Sequence, residues 1–155
     1  MTTTLVLGIG NILLKDEGAG VHVIHYLRRR HLPGVTCLDG GTLSFTLANA
    51  IAESDHLIVV DAAELAAEPG TVRTFLNAEM DRLLGTGRRS AHAVSLKDLL
   101  DIARLTGSLP LPRALVGIQP QAVGWGEQLS QVVALAIPQA AQQVLALIRC
   151  WRQVT

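Results

Sequence analysis

Aromatic side chains are scarce in this chain, at 3% of 155 residues, so its core has to be built from Val, Leu, Ile and Ala. An excess of charge is missing too, because 13 Lys and Arg balance 13 Asp and Glu. That balance argues against the broad electrostatic footprint of a nucleic-acid binder. The only cysteines, Cys37 and Cys150, have no CxxC spacing and lie in apolar stretches, so they read as buried free thiols in a reducing compartment. No basic segment precedes Thr4-Leu5-Val6-Leu7, and no apolar run has the length of a membrane span. The expectation is a soluble, cytoplasmic protein without membrane insertion. Internal repeats, low-complexity segments and interdomain linkers are absent as well. What is present, 49% apolar and 17% charged residues, predicts one globular domain over residues 1–155.

Strands and helices alternate along the chain. Thr4–Ile9 is a short apolar run closed by Gly10-Asn11, the pattern of a strand buried on both faces. Residues 18–30 read as a helix, with Val21, Ile24, His25 and Leu27 on one face. Val35–Leu38 is a second strand, closed by Asp39-Gly40-Gly41-Thr42, and a helix from Leu43 to about Ala52 follows. Leu57–Val60 is a third strand, stopping at Asp61-Ala62. Val72–Leu76 is a strand of undetermined direction, residues 79–84 a short helix and residues 85–89 a loop. Leu96, Leu99, Leu100 and Ala103 mark a helix over 95–105. Ala114–Ile118 is the last strand, ended by Gln119-Pro120, and residues 130–151 form an apolar helix with a kink or restart at Pro138. This alternation predicts an α/β fold: a three-layer α/β/α sandwich with a mostly parallel, doubly wound sheet of about five strands.

In such a sheet the loops at the carboxyl ends of the strands converge on one crevice, where ligands bind. Glu17, Asp61 and His92 all lie just past a strand or in the loop before a helix. Two carboxylates and an imidazole suit a divalent transition metal. A dinucleotide reading of the first loop fails by comparison. Gly8-Ile9-Gly10 supplies two glycines of GxGxxG, but residue 13 is Leu, and no Gly-Lys-Ser/Thr follows. Asp39 after the second strand fits ribose recognition, yet Asp16 and Glu17 at the start of the first helix would repel a pyrophosphate.

Six blocks then stand in register: Gly8-Ile9-Gly10-Asn11 with Asp16-Glu17-Gly18-x-Gly20-Val21; Asp39-Gly40-Gly41-Thr42; Asp55-His56-Leu57-Ile58-x-x-Asp61-Ala62; Ser90-x-His92; Val116-Gly117-x-x-Pro120; and Leu129-Ser130 leading to Ala136-Ile137-Pro138. Together, over about residues 5–147, they resemble the hydrogenase maturation proteases, endopeptidases that trim the C-terminal extension of the large subunit of nickel–iron hydrogenases. The resemblance implies the same three-layer sandwich. It also implies that Glu17, Asp61 and His92 contact a metal, taken to be nickel already held by the substrate precursor, with cadmium or zinc as in-vitro substitutes. Cleavage would then wait on nickel insertion. The implied partner is the large-subunit precursor, met by a monomer.

Residue chemistry agrees with that role. Three protein ligands leave open coordination positions, and a metal there could polarise the scissile carbonyl or activate water. Asp39 is a candidate general base or grip on the substrate extension. The amides of Gly40, Gly41 and Thr42 are candidates for oxyanion stabilisation or substrate binding. No Ser or Cys nucleophile with suitable partners stands out, which favours direct water attack. The catalytic set is thus Glu17, Asp39, Asp61 and His92. The rival in another class is a non-catalytic, metal-sensing chaperone that docks on the same precursor.

Each residue has a plainer role available. Asp16 and Glu17 can cap the first helix, Asp61 can close an Asx-turn, His92 can be a hydrogen-bonded loop histidine, and Asp39 can bond its own Gly-Gly amides. His22 and His25, three apart on a helix, read as a surface or core-edge pair lacking an acidic partner. Arg28-Arg29-Arg30 and His31 suit a helix C-terminus. Arg88-Arg89 could steer an acidic segment, and Trp125, in a Gly-flanked loop, is a candidate docking residue.

Overall fold

Six consecutive buried residues, Thr4–Ile9, make β1 an interior strand of the sheet. An apolar run with no polar face can exist only with partners on both edges and helices on both faces, and β1 has both. The computed structural model describes residues 2–43, 45–86 and 93–154. Within it, a 3-10 turn at Lys15–Gly18 and helix α1 (Ala19–Leu27) follow β1. Then come β2 (Val35–Gly41), α2 (Leu47–Ala52), β3 (His56–Ala62), β4 (Val72–Leu76), α3 (Ala78–Gly85), α4 (Ala93–Leu105), β5 (Arg113–Ile118) and α5 (Gln131–Val154).

The sheet runs β2-β1-β3-β5-β4. β1 pairs parallel with β2 and β3, and β3 pairs parallel with β5. β4 is antiparallel to β5 at the edge, which fixes the direction that periodicity left open. Alternate strand residues divide the core in two. Val6, Ile58, Val60, Val116 and Ile118 pack under α1 and α5. Leu5, Leu7, Leu57, Val59 and Leu115 pack against the layer of α2, α3 and α4. The three-layer expectation holds.

The differences are local. β2 continues through Asp39 to Gly41, past the expected turn, because a bulge lets the pairing pass from Gly8–Asp39 to Ile9–Gly41. Gly40 is the extra residue, and a Cβ there would lie 2.8 Å from Leu7 Cδ1. α1 ends at Leu27 rather than near residue 30, and α5 continues through Pro138. Cys150 is exposed rather than buried, on the outward side of α5, while Cys37 is half-buried. By length and composition α5 is apolar enough to cross a membrane, contrary to the expectation that no run is. Its Val133, Ile137, Ala140, Val144 and Ile148 are spent on packing against the sheet.

Candidate active site

The order β2-β1-β3 puts the topological switch point between β1 and β3, since the chain leaves β1 toward one edge of the sheet and β3 toward the other. That crevice is where doubly wound sheets bind ligands. Glu17 lies in the 3-10 turn following β1, and Asp61 lies near the end of β3. Two glycines bring the two segments together. At Gly20 an added Cβ would sit 2.2 Å from the Val60 carbonyl oxygen, so only glycine lets α1 begin directly on β3 beside Asp61. At Gly10, with φ +141°, a Cβ would sit 2.0 Å from the Glu17 carbonyl oxygen. The glycines of the first loop therefore serve close backbone packing, and no phosphate cradle is needed to explain them.

Asp61 is buried, and strand alternation turns it toward the face covered by α4. Helix α4 starts at Ala93. His92 and Arg88-Arg89 lie outside the described residues. Among the described residues no group of three His, Cys, Asp or Glu side chains is arranged to hold a metal. Glu17 is half-buried.

Asp16 is not a cap for its own helix, contrary to the plain reading of it. It is fully buried and accepts four hydrogen bonds from the other end of the chain. Oδ2 receives the amides of Gln121 (2.9 Å) and Ala122 (2.8 Å) and the Ser130 hydroxyl (2.7 Å). Oδ1 receives the Ser130 amide at 2.7 Å. Burial pushes this carboxyl up, but the bonds from Ala122, Ser130 and Gln121 outweigh it and hold the group below the usual carboxylate range. Backbone bonds join the same loops: Lys15 N–H to Gly126 O at 2.8 Å, Gly126 N–H to Leu13 O at 2.9 Å. The turn that carries Glu17 is thereby fastened to the loop after β5. Gln119 performs a similar service beyond Asp61, accepting the Leu65 amide at 2.6 Å and donating to Glu64 Oε2 at 3.0 Å.

Asp39 makes the turn-type bond expected of it, and its side chain borders a groove. Its Oδ1 accepts the Gly41 amide at 2.9 Å, the plain turn-type bond. It also lines an open groove of about 260 Å³ with Gly10, Asn11, Ile12, Val21, Gly41 and Thr42. Because the Gly41 amide is committed to Asp39, the expectation of it as an oxyanion donor is weakened. The His25 ring, expected to lack an acidic partner, has its Nε2 3.8 Å from Asp39 Oδ2. His22 Nε2 is buried with no hydrogen-bond partner among the described residues. Burial first, and then the neighbouring His25, lower its pKa from the usual 6.5.

The sequence profile of the hydrogenase maturation proteases matches residues 21–147. The hydrogenase 2 maturation protease of Escherichia coli K12 is 40% identical over 148 residues, 94% of this chain and 90% of that protein. The hydrogenase expression/formation protein HupD of Rhizobium leguminosarum bv. viciae is 36% identical over 150 residues, 95% of this chain and 74% of that protein. Among solved structures, the hydrogenase maturating endopeptidase HybD from E. coli superposes with a TM-score of 0.89 at 38% identity, covering 96% of this chain and 93% of that one. The nickel–iron hydrogenase maturation protease HybD from Thermococcus kodakarensis gives 0.82 at 29% identity, covering 94% and 99%.

Proposed function

The chain belongs to the hydrogenase maturation protease family and is an endopeptidase, and from that premise we propose that it removes the C-terminal extension of a nickel-loaded hydrogenase large-subunit precursor. The observation that carries this reading is the meeting of the Glu17 turn and the Asp61 strand end at the switch point, made close by Gly20 against Val60. Two carboxylates there, with His92 from the segment just before α4, form a donor set suited to nickel. Nickel arrives in the substrate, so Glu17, Asp61 and His92 read whether the precursor has been loaded. When bound, it would supply Lewis-acid chemistry for peptide hydrolysis.

The remaining work falls to the chain's own residues. The groove beside Asp39 receives the extension, and Asp39 takes the proton from the attacking water. Its Oδ1 is steadied by the Gly41 amide and its Oδ2 faces His25, so the carboxylate is oriented before substrate arrives.

The test is processing in vitro. Purified protein is mixed with precursor, with and without nickel loaded, and the mass of the large subunit is followed. Loss of a C-terminal fragment from the loaded form alone supports the reading. Equal cleavage of both forms removes nickel from it, and stable complex formation without cleavage removes the proteolytic step on this substrate.

A further inference from the structure

The rim of the cleft carries an apolar surface that the chemistry above leaves without a role. The sequence holds two Trp, two Phe and one Tyr, so large rings are a limited resource. Yet Trp125 is 81% exposed and Phe45 78%. Val123, Ile12 and Leu13 are exposed as well. These five side chains sit on the loops that follow β5, β2 and β1, all at the carboxyl edge of the sheet where the cleft opens. Ile12 lines the Asp39 groove itself. Exposed apolar side chains elsewhere, such as Ile102 and Leu105 toward the end of α4 and Leu135 on α5, lie away from this edge.

The rim is also stiff. Gly126 bonds to Leu13 and Lys15 through the backbone, and Asp16 holds Gln121 and Ala122. Val123 and Trp125 are thus presented beside Leu13 on a braced loop. An exposed aromatic on a braced backbone next to a cleft has the character of an interface anchor, because little backbone freedom remains to be lost on binding.

We propose that this rim is the docking surface for the folded body of the precursor, taking an uncharged, apolar patch around the segment to be cut. The inference rests on the substrate reading above and deepens it. Continuity decides the occupant: the rim adjoins the groove given to the extension, so whatever surrounds the extension must meet it. A second copy fits poorly, since a symmetric pair through this surface would close both clefts. An anionic lipid surface fits poorly too, since among the described residues Glu17, Asp39 and Glu127 share this edge with Lys15 as a cation.

The experiment measures processing of nickel-loaded precursor across a range of precursor concentrations for wild type, Trp125→Ala, Trp125→Phe and Leu105→Ala. Trp125→Ala should raise the half-saturating concentration by about tenfold while the saturating rate holds, and Trp125→Phe should recover most of the loss. Leu105→Ala should match wild type. Thermal melting checks that Trp125→Ala is folded. Unchanged half-saturation in folded Trp125→Ala overturns the inference. So does a wild-type dimer that Trp125→Ala dissociates in sedimentation, or Trp125-dependent binding to phosphatidylcholine vesicles. Failure of wild type to cut the precursor, with co-elution of protein and precursor in gel filtration seen for wild type and lost in Trp125→Ala, would strike the substrate reading and leave this inference standing.

Discussion

Asp16 and Ser130 stand 114 residues apart and share two hydrogen bonds, each 2.7 Å, one to the Ser130 amide and one to its hydroxyl. Ser130 immediately precedes α5, so a carboxylate from the first loop closes the start of the last helix. The same carboxylate takes the amides of Gln121 and Ala122. An amide in its place would turn an N–H group toward backbone donors in either orientation. Asp16→Asn should therefore cost about 3 kcal/mol, read as a lower denaturant midpoint with an unchanged slope. Processing should fall even where the variant is still folded, because the turn carrying Glu17 loses its anchor. A variant with wild-type stability would show that the loop finds other acceptors.

Gly20 tests the close approach at the switch point. The Cβ of Gly20→Ala would lie 2.2 Å from Val60 O and 2.6 Å from Ile9 O. Neither is the end of a flexible side chain, so α1 must lift from β3. A loss of at least about 1–3 kcal/mol is expected, together with loss of processing. A fully active Gly20→Ala would mean the site tolerates separation of its two acidic segments.

Asp39 separates chemistry from turn geometry. Asn at this position keeps an Oδ1 acceptor for the Gly41 amide, so Asp39→Asn should melt like wild type. Its saturating single-turnover rate should nonetheless fall by roughly 10²–10⁴, the range for losing a general base. If the rate survives, Asp39 is a turn residue only.

His92→Ala addresses the residue proposed to complete the nickel-reading set. Processing of loaded precursor should vanish while the melting temperature is kept. Unchanged processing would remove His92 from the site.

His22 gives the pH dependence. Its folded-state pKa is lowered, chiefly by burial, so the native state favours the neutral ring. The stability tied to that preference is full above the usual value of 6.5 and is lost as pH falls through the lowered folded value. Comparing denaturant midpoints at about pH 7.5 and about pH 5.5, His22→Gln should lose less stability on acidification than wild type. Parallel losses would assign the acid sensitivity to other groups.

Much of this architecture is legible in local pattern. Strand runs such as Thr4–Ile9 announce themselves because both faces are buried, and the candidate acids sit at strand ends that any parallel sheet brings to one edge. What pattern misses is pairing across long separations. Asp16 looks like a helix cap because acids favour that position, and nothing nearby in sequence discloses donors beyond residue 120. His25 looks unpartnered until β2 carries Asp39 alongside α1. The bulge at Gly40 is equally hidden, because Gly-Gly reads as a turn whether or not the ladder continues through it.

The late position of β5 has a consequence for synthesis. Vectorial production delivers both acids by residue 61 and the edge strand β4 by residue 76, but β5, which must enter between β3 and β4, comes only with Arg113–Ile118. The clasp on Asp16 arrives later still, with residues 121–130. A nascent chain on the ribosome therefore holds both candidate acids without the frame that aligns them until the final third has emerged.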